Sequence, residues 1–143
     1  MLELRHYLSF AALLLVPLSS CSFSPDKVAI ECNEKLVMTS LPLLLPPETA
    51  NETSRYLIDY KEGKVFLYND NIVNEMKNVS LAPAKITFLQ PFYDEGAVSI
   101  DRTKLTISGF TRSLLPDGSV SVERSGKCRK IALPNLSASG KQI

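Results

Sequence analysis

Histidine is nearly missing from this chain of 143 residues: its single copy, His6, stands among the first ten. Without imidazole further along, serine or cysteine catalysis with a histidine base is excluded there, and zinc loses its commonest nitrogen ligand. Cysteine is scarce as well, and Cys32 and Cys128 lie too far apart for a zinc knuckle. The six glycines are scattered singly, so no phosphate-cradling loop exists. An excess of either charge is lacking: 16 Lys and Arg face 15 Asp and Glu. A general nucleic-acid binder carries a clustered basic surplus instead. Catalysis is left with carboxylates, lysine or tyrosine. The expectation is a protein with no cofactor, no metal and no nucleic-acid partner.

Long apolar runs are missing too. The longest stretch near the start, Tyr7 to Val16, has ten residues, whereas crossing a bilayer takes about 20. FAALLLVPL has no polar face, and Pro17 and small residues follow it. A short apolar core with that ending reads as a secretory signal, although Glu3 offsets Arg5 in its basic start. Directly after it stands Leu18-Ser19-Ser20-Cys21. These four residues resemble the bacterial lipobox, in which the cysteine thiol is lipidated and the signal is cut before it. The resemblance implies a chain anchored in the cell envelope through Cys21, its membrane partner being lipid. Ser22, which is not Asp, leaves the protein free to reach an outer membrane, facing the periplasm. A cut after Ser22, with Ser20 and Ser22 at the small-residue positions, is the alternative and yields a soluble secreted protein. Either outcome leaves an even pair of cysteines; the lipobox favours lipidation.

The organisation that follows is a signal over 1–20, an anchor linker over 21–27, a β domain over 28–134 and a flexible tail over 135–143. In "VAIEC", Val28, Ile30 and Cys32 alternate with Ala29 and Glu31, as in a half-buried strand. "LPLLLPPETANETS" holds Pro42, Pro46 and Pro47 and reads as a loop or edge. Its leucines, Leu41 and Leu43 to Leu45, are expected to cap the core; an exposed contact patch is the alternative. In "RYLIDYKEGKVFLY", Tyr56, Ile58 and Tyr60 alternate, a glycine-containing turn follows, and Val65 and Leu67 return, which predicts a hairpin. Further strands are expected at "KITFLQ", "AVSID", "KLTISGF", "VSVER" and "KCRKIAL", with a turn at "LPDGS". "DNIVNEMKNVSL" is expected to hold at most one turn of helix. The fold class is all-β: a small antiparallel barrel or sandwich of seven or eight strands.

Cys32 and Cys128 fall in the first and last strands, and in an oxidising compartment they are expected to form a disulfide, with two buried thiols the alternative. Asp59 and Asp101 each follow isoleucine, in "YLIDY" and "SIDRT". A paired-carboxylate glycosidase is conceivable, but outward polar positions on two strands explain them better, so no catalytic residue is assigned. "YNDNIVNE" lacks the spacing of a calcium loop and reads as a turn. Arg124, Lys127, Arg129 and Lys130 form a basic group that faces phosphate or acidic glycans, or is simply a solvated face. The sequons at Asn51, Asn78 and Asn135 are read as coincidence.

The starting Cys strand, "YLID" with its glycine turn, "SIDR" followed by "LTI", and the closing "GKC" resemble small exported β domains of uncharacterised bacterial proteins. That resemblance implies fold and compartment only. Ser137-Ala138-Ser139-Gly140 is similar to a loop of membrane-bound lysozyme inhibitors, small lipoproteins with a β barrel and a disulfide. The functional expectation is a non-catalytic envelope module that binds an envelope protein or glycan. The alternative is an inhibitor of a hydrolase such as lysozyme.

Overall fold

The computed structural model describes residues 25–42 and 45–135. The residues read as a signal and as a lipobox with Cys21, together with Leu43, Leu44 and the Ser137–Gly140 stretch, lie outside the described residues. Within them the chain is all β. The strands are β1 (Lys27–Leu41), β2 (Glu48–Asp59), β3 (Lys64–Tyr68), β4 (Val73–Glu75), β5 (Lys77–Leu81), β6 (Lys85–Leu89), β7 (Glu95–Asp101), β8 (Thr106–Leu115) and β9 (Gly118–Ile131). No helix among the described residues is long and apolar enough to cross a membrane.

All nine strands form one antiparallel sheet in the order β4-β3-β2-β1-β9-β8-β7-β6-β5. Two meanders, β1 to β4 and β5 to β9, are thus joined by pairing of the first strand with the last. The outermost strands of the sheet, β4 and β5, are consecutive in the chain and separated by Met76 alone. A flat sheet cannot bring its two edges within one residue of each other. The sheet therefore curls into a nearly closed barrel, with Met76 buried at the seam and its amide donating to the Val65 carbonyl at 2.8 Å.

Strand alternation fills the interior. Ile30 and Cys32 from β1, Tyr56 and Ile58 from β2, Val65 from β3, Ile86 and Phe88 from β6, Val98 and Ile100 from β7 and Ile107 from β8 form one core with Met76. A smaller cluster of Leu57, Phe66 and Tyr68, with Val73 against it, covers the outer face of β2 to β4. Cys32 stands directly opposite Cys128 in the β1–β9 register, and the two form a disulfide with 4.0 Å between Cα atoms. The covalent link lies inside the pairing that closes the barrel.

The strand count and several boundaries differ from expectation. "ETANETS" is the first half of β2, paired to β1 from Lys27↔Asp59 through Met38↔Glu48. "DNIVNEMKNVSL" contributes β4 and β5, not a helical turn, because Phe66 to Tyr68 and Ile86 to Leu89 offer it edges to pair with. "VSVER" and "KCRKIAL" belong to one long strand, β9. Leu41 and Leu45 are exposed and do not cap the core.

Candidate binding surfaces

Two hairpins at the end where β1 begins share one construction. Asp59 Oδ1 accepts from the amides of Lys61 (3.1 Å) and Glu62 (3.0 Å). Asp101 Oδ1 accepts from those of Thr103 (2.9 Å) and Lys104 (2.8 Å). The residue four places after each aspartate has positive φ: Gly63 at 68° and Leu105 at 52°. Asn69, in the predicted turn "YNDN", accepts from Asn71 and Ile72 in the same way, both at 2.9 Å. Each side-chain oxygen takes over two backbone donors that the turn leaves without a strand partner.

The two aspartates differ in exposure. Asp101 is half-exposed, and the Lys104 and Thr103 amides hold its carboxyl below the usual range. Asp59, expected to point outward into solvent, is buried at 4 %, with Lys27 Nζ 3.7 Å from its other oxygen. It does sit on the outer side of β2, but the leading segment and the turn cover it. The two do not face one cleft together: Asp59 lines a cleft with Glu62 and Glu75 on the outer face of β2 to β4, and Asp101 does not line it.

The residues following the aspartates meet. The Arg102 guanidinium lies over the Tyr60 ring, 4.8 Å from its centre, and its Nη1 donates to the Ala82 and Pro83 carbonyls at 3.3 and 3.1 Å. They sit across the near mouth of the barrel. There a cleft of about 650 Å³ has Val28, Ile30 and Leu105 in its wall and Lys61, Arg102 and Lys130 around it. A larger cleft, about 1010 Å³, lies against the outer face of β2 to β4. Its charges are mixed and partly paired with each other, as in Lys64–Glu75 at 3.3 Å.

The basic group read from the sequence is divided by strand alternation. Arg129 faces outward and donates to Glu31, which also accepts from Arg55 at 3.0 Å; Arg129 first and then Arg55 hold the Glu31 carboxyl below its usual range. Lys127 is exposed, and Lys130 reaches the near mouth. Arg124 is buried inside the barrel, 4 % exposed, and is no part of a solvated face.

Arg124 belongs to a cluster that sequence reasoning missed. Its Nη1 donates to Glu34 Oε2 at 3.0 Å and its Nη2 to Gln90 Oε1 at 2.8 Å, while the Tyr56 hydroxyl donates to Glu34 Oε1 at 3.2 Å. Burial, and then the Glu34 charge, push the Tyr56 hydroxyl well above its ordinary range, so it remains a donor. Gly109 stands opposite Arg124 in the β8–β9 register, with no side chain to compete for the interior. A signal was available: Glu34 shares parity with Cys32, and Arg124 with Cys128, so a disulfide at the core implies both charges point inward.

The far end, around the β8–β9 hairpin, carries exposed apolar side chains. Leu41 stands opposite Ser119, which is itself opposite Leu114 on the neighbouring strand. The Phe92 carbonyl accepts from Ser113 Oγ at 3.2 Å, and Asp94 Oδ2 accepts from the Leu114 amide at 2.6 Å. These bonds hold Phe92 beside the hairpin. Leu41, Phe92, Leu114 and Leu115 thus form an apolar rim, each about half exposed. Glu48, Glu95 and Asp117 stand at the same end. Among the described residues no group of histidine, cysteine and carboxylates is arranged to hold a metal. No protein-family model matches the chain, and no curated protein matches it.

Proposed function

We propose that this protein is a non-catalytic binding module of the cell envelope, anchored by lipid on Cys21, that holds a protein partner through the apolar rim. The rim carries the reading. Exposed apolar side chains gathered at one end of a small domain mark a contact site more often than they decorate a free surface. The acids around it set the partner's chemistry: an apolar patch bordered by lysine and arginine. The position of the carboxylates supports a binding role as well, since Asp59 and Asp101 are both engaged in shaping turns.

A photoreactive residue at Leu114, in the protein within its own envelope, tests the rim. The expected adduct joins Leu114 to an apolar, basic-bordered surface and disappears when Phe92→Asp is added. A control probe at Ser80, exposed on β5, should not form it. An adduct that survives Phe92→Asp, or arises equally from both probes, would refute the rim. A hydrolase as the partner would make the module an inhibitor. The anchor is tested separately by fatty-acid labelling, which Cys21→Ala should abolish.

A further inference from the structure

The charged side chains are distributed unevenly along the barrel axis. At the near end, Lys61, Lys85, Arg102, Lys104 and Lys130 are all exposed. Of the acids there, Asp59 is paired with Lys27 at 3.7 Å, while Asp101, held by its turn, keeps its charge. Asp26, Glu62 and Glu75 are the other exposed carboxylates of that end, Glu75 being paired with Lys64 at 3.3 Å. At the far end the balance reverses, with Glu48, Asp94, Glu95 and Asp117 against Arg112, which pairs with Glu95 at 3.2 Å, and Lys77, which donates to the Tyr93 carbonyl at 3.0 Å. A molecule with net charge near zero thus has a positive end and a negative end.

The positive end is also where the chain comes in. The Tyr60 amide donates to the Asp26 carbonyl at 2.8 Å, which pins the leading segment against the β2–β3 turn beside the mouth. From Cys21 to Asp26 is a step of five residues, and fully extended chain spans at most about 18 Å over that distance. A lipid on Cys21 would therefore keep this end within about two Debye lengths of the headgroups at physiological salt. From there the cations can come against the headgroups, where an anionic surface attracts each by roughly fivefold in partition.

We infer that the near mouth, with Lys61, Arg102 and Lys130 around it, is a docking site for the phosphate headgroups of anionic membrane lipid. It rests on the anchor reading above for its geometry. Arg102 is held by two carbonyls and the Tyr60 ring, so its guanidinium is already positioned before any phosphate arrives. Docking there stands the barrel upright, with the near end on the bilayer and the apolar rim turned away from it.

The test places the whole protein, purified from its envelope, on vesicles of phosphatidylcholine alone or with about one-third phosphatidylglycerol. Amide hydrogen exchange is followed at the two near turns, Tyr60 to Gly63 and Arg102 to Leu105, and at the far hairpin. The expected result is slowing of about fivefold or more at both near turns on phosphatidylglycerol vesicles only. Lys61→Gln with Lys130→Gln should remove most of it, as should about 1 M salt. Adding Arg102→Gln should remove the rest; the two-lysine variant keeps the test valid if loss of Arg102 disturbs the fold. Equal protection on both vesicle types, protection of the far hairpin instead, or the same protection from inorganic phosphate without vesicles would each overturn the inference. Failure of the anchor shows differently, as protein that leaves phosphatidylcholine vesicles. Protection on phosphatidylglycerol vesicles that the lysine changes abolish would then still establish the headgroup site.

Discussion

The barrel interior is filled in two ways along its axis. Around the disulfide it is hydrocarbon: Ile30, Ile58, Val65, Ile86, Ile100 and Ile107 leave no polar group to satisfy. Toward the far end the same inward positions hold Glu34, Arg124, Gln90 and the Tyr56 hydroxyl, bonded to one another. An apolar filling tolerates small adjustments in register and rotamer. A buried ion pair does not, because every arrangement but one leaves a charge without its partner. The near end is therefore secured by a covalent bond between adjacent strands, and the far end by geometry.

Breaking each device separately tests that contrast. Replacing Cys32 and Cys128 with alanine should have the largest effect, about 4 to 5 kcal/mol on the chain-entropy model for residues 96 apart, read from urea unfolding midpoints. Arg124→Ala should follow at about 3 to 4 kcal/mol, because Glu34 is left buried without its cation. Replacing Glu34 and Arg124 together by leucine should recover most of that loss. A double variant as unstable as the single one would show that the cluster supports the fold by more than its own pairing.

Smaller changes compare the two aspartate turns. Asp59→Ala is expected to cost about 2 kcal/mol, since two amides and a buried site lose their acceptor. Asp101→Ala, at a more exposed turn, should cost less by the same unfolding assay. Its carboxyl is lowered in the folded state, so its contribution is full above the unfolded value near pH 4 and fades as pH falls through the folded one. Asp101→Asn should accordingly flatten the acid limb of stability below about pH 4. The smallest effect belongs to Gly63→Ala, about 1 kcal/mol, from the left-handed backbone alone, because a Cβ there meets nothing within 4 Å.

Much of this was legible in the sequence, and the failures have definite causes. Alternation placed Tyr56, Ile58 and Val65 inside and located the β2–β3 hairpin, because period two leaves a strong imprint on a sheet with one wet face. The Cys32–Cys128 disulfide followed from cysteine arithmetic and terminal strands. Asp59 and Asp101 were identified as polar positions on strands, but burial of Asp59 depends on the segment at Asp26 and Lys27 folding across it, and no local pattern records that. The basic group was misjudged as one surface because four cations within seven residues were weighed by proximity. Parity along β9 sends Arg124 inward and Arg129 outward, and it was readable from Cys128. The strand at "ETANETS" was masked by Pro46 and Pro47 before it and by its own polar residues, since its stability comes from β1 and not from its own composition.

The seam at Met76 has a consequence for how this barrel could be rewired. The described chain begins and ends at neighbouring points, with Ala29 opposite Ile131. Opened at Met76 and joined from β9 to β1 by a short linker, the polypeptide would run β5 to β9 and then β1 to β4. That is the order of the strands in the sheet. Every pair of hydrogen-bonded strands would become neighbours in sequence, and the one pairing that now spans nearly the whole domain would become an ordinary hairpin. Because folding rates fall as contacts grow more distant in sequence, such a circular permutant should reach the same barrel faster than the natural order does.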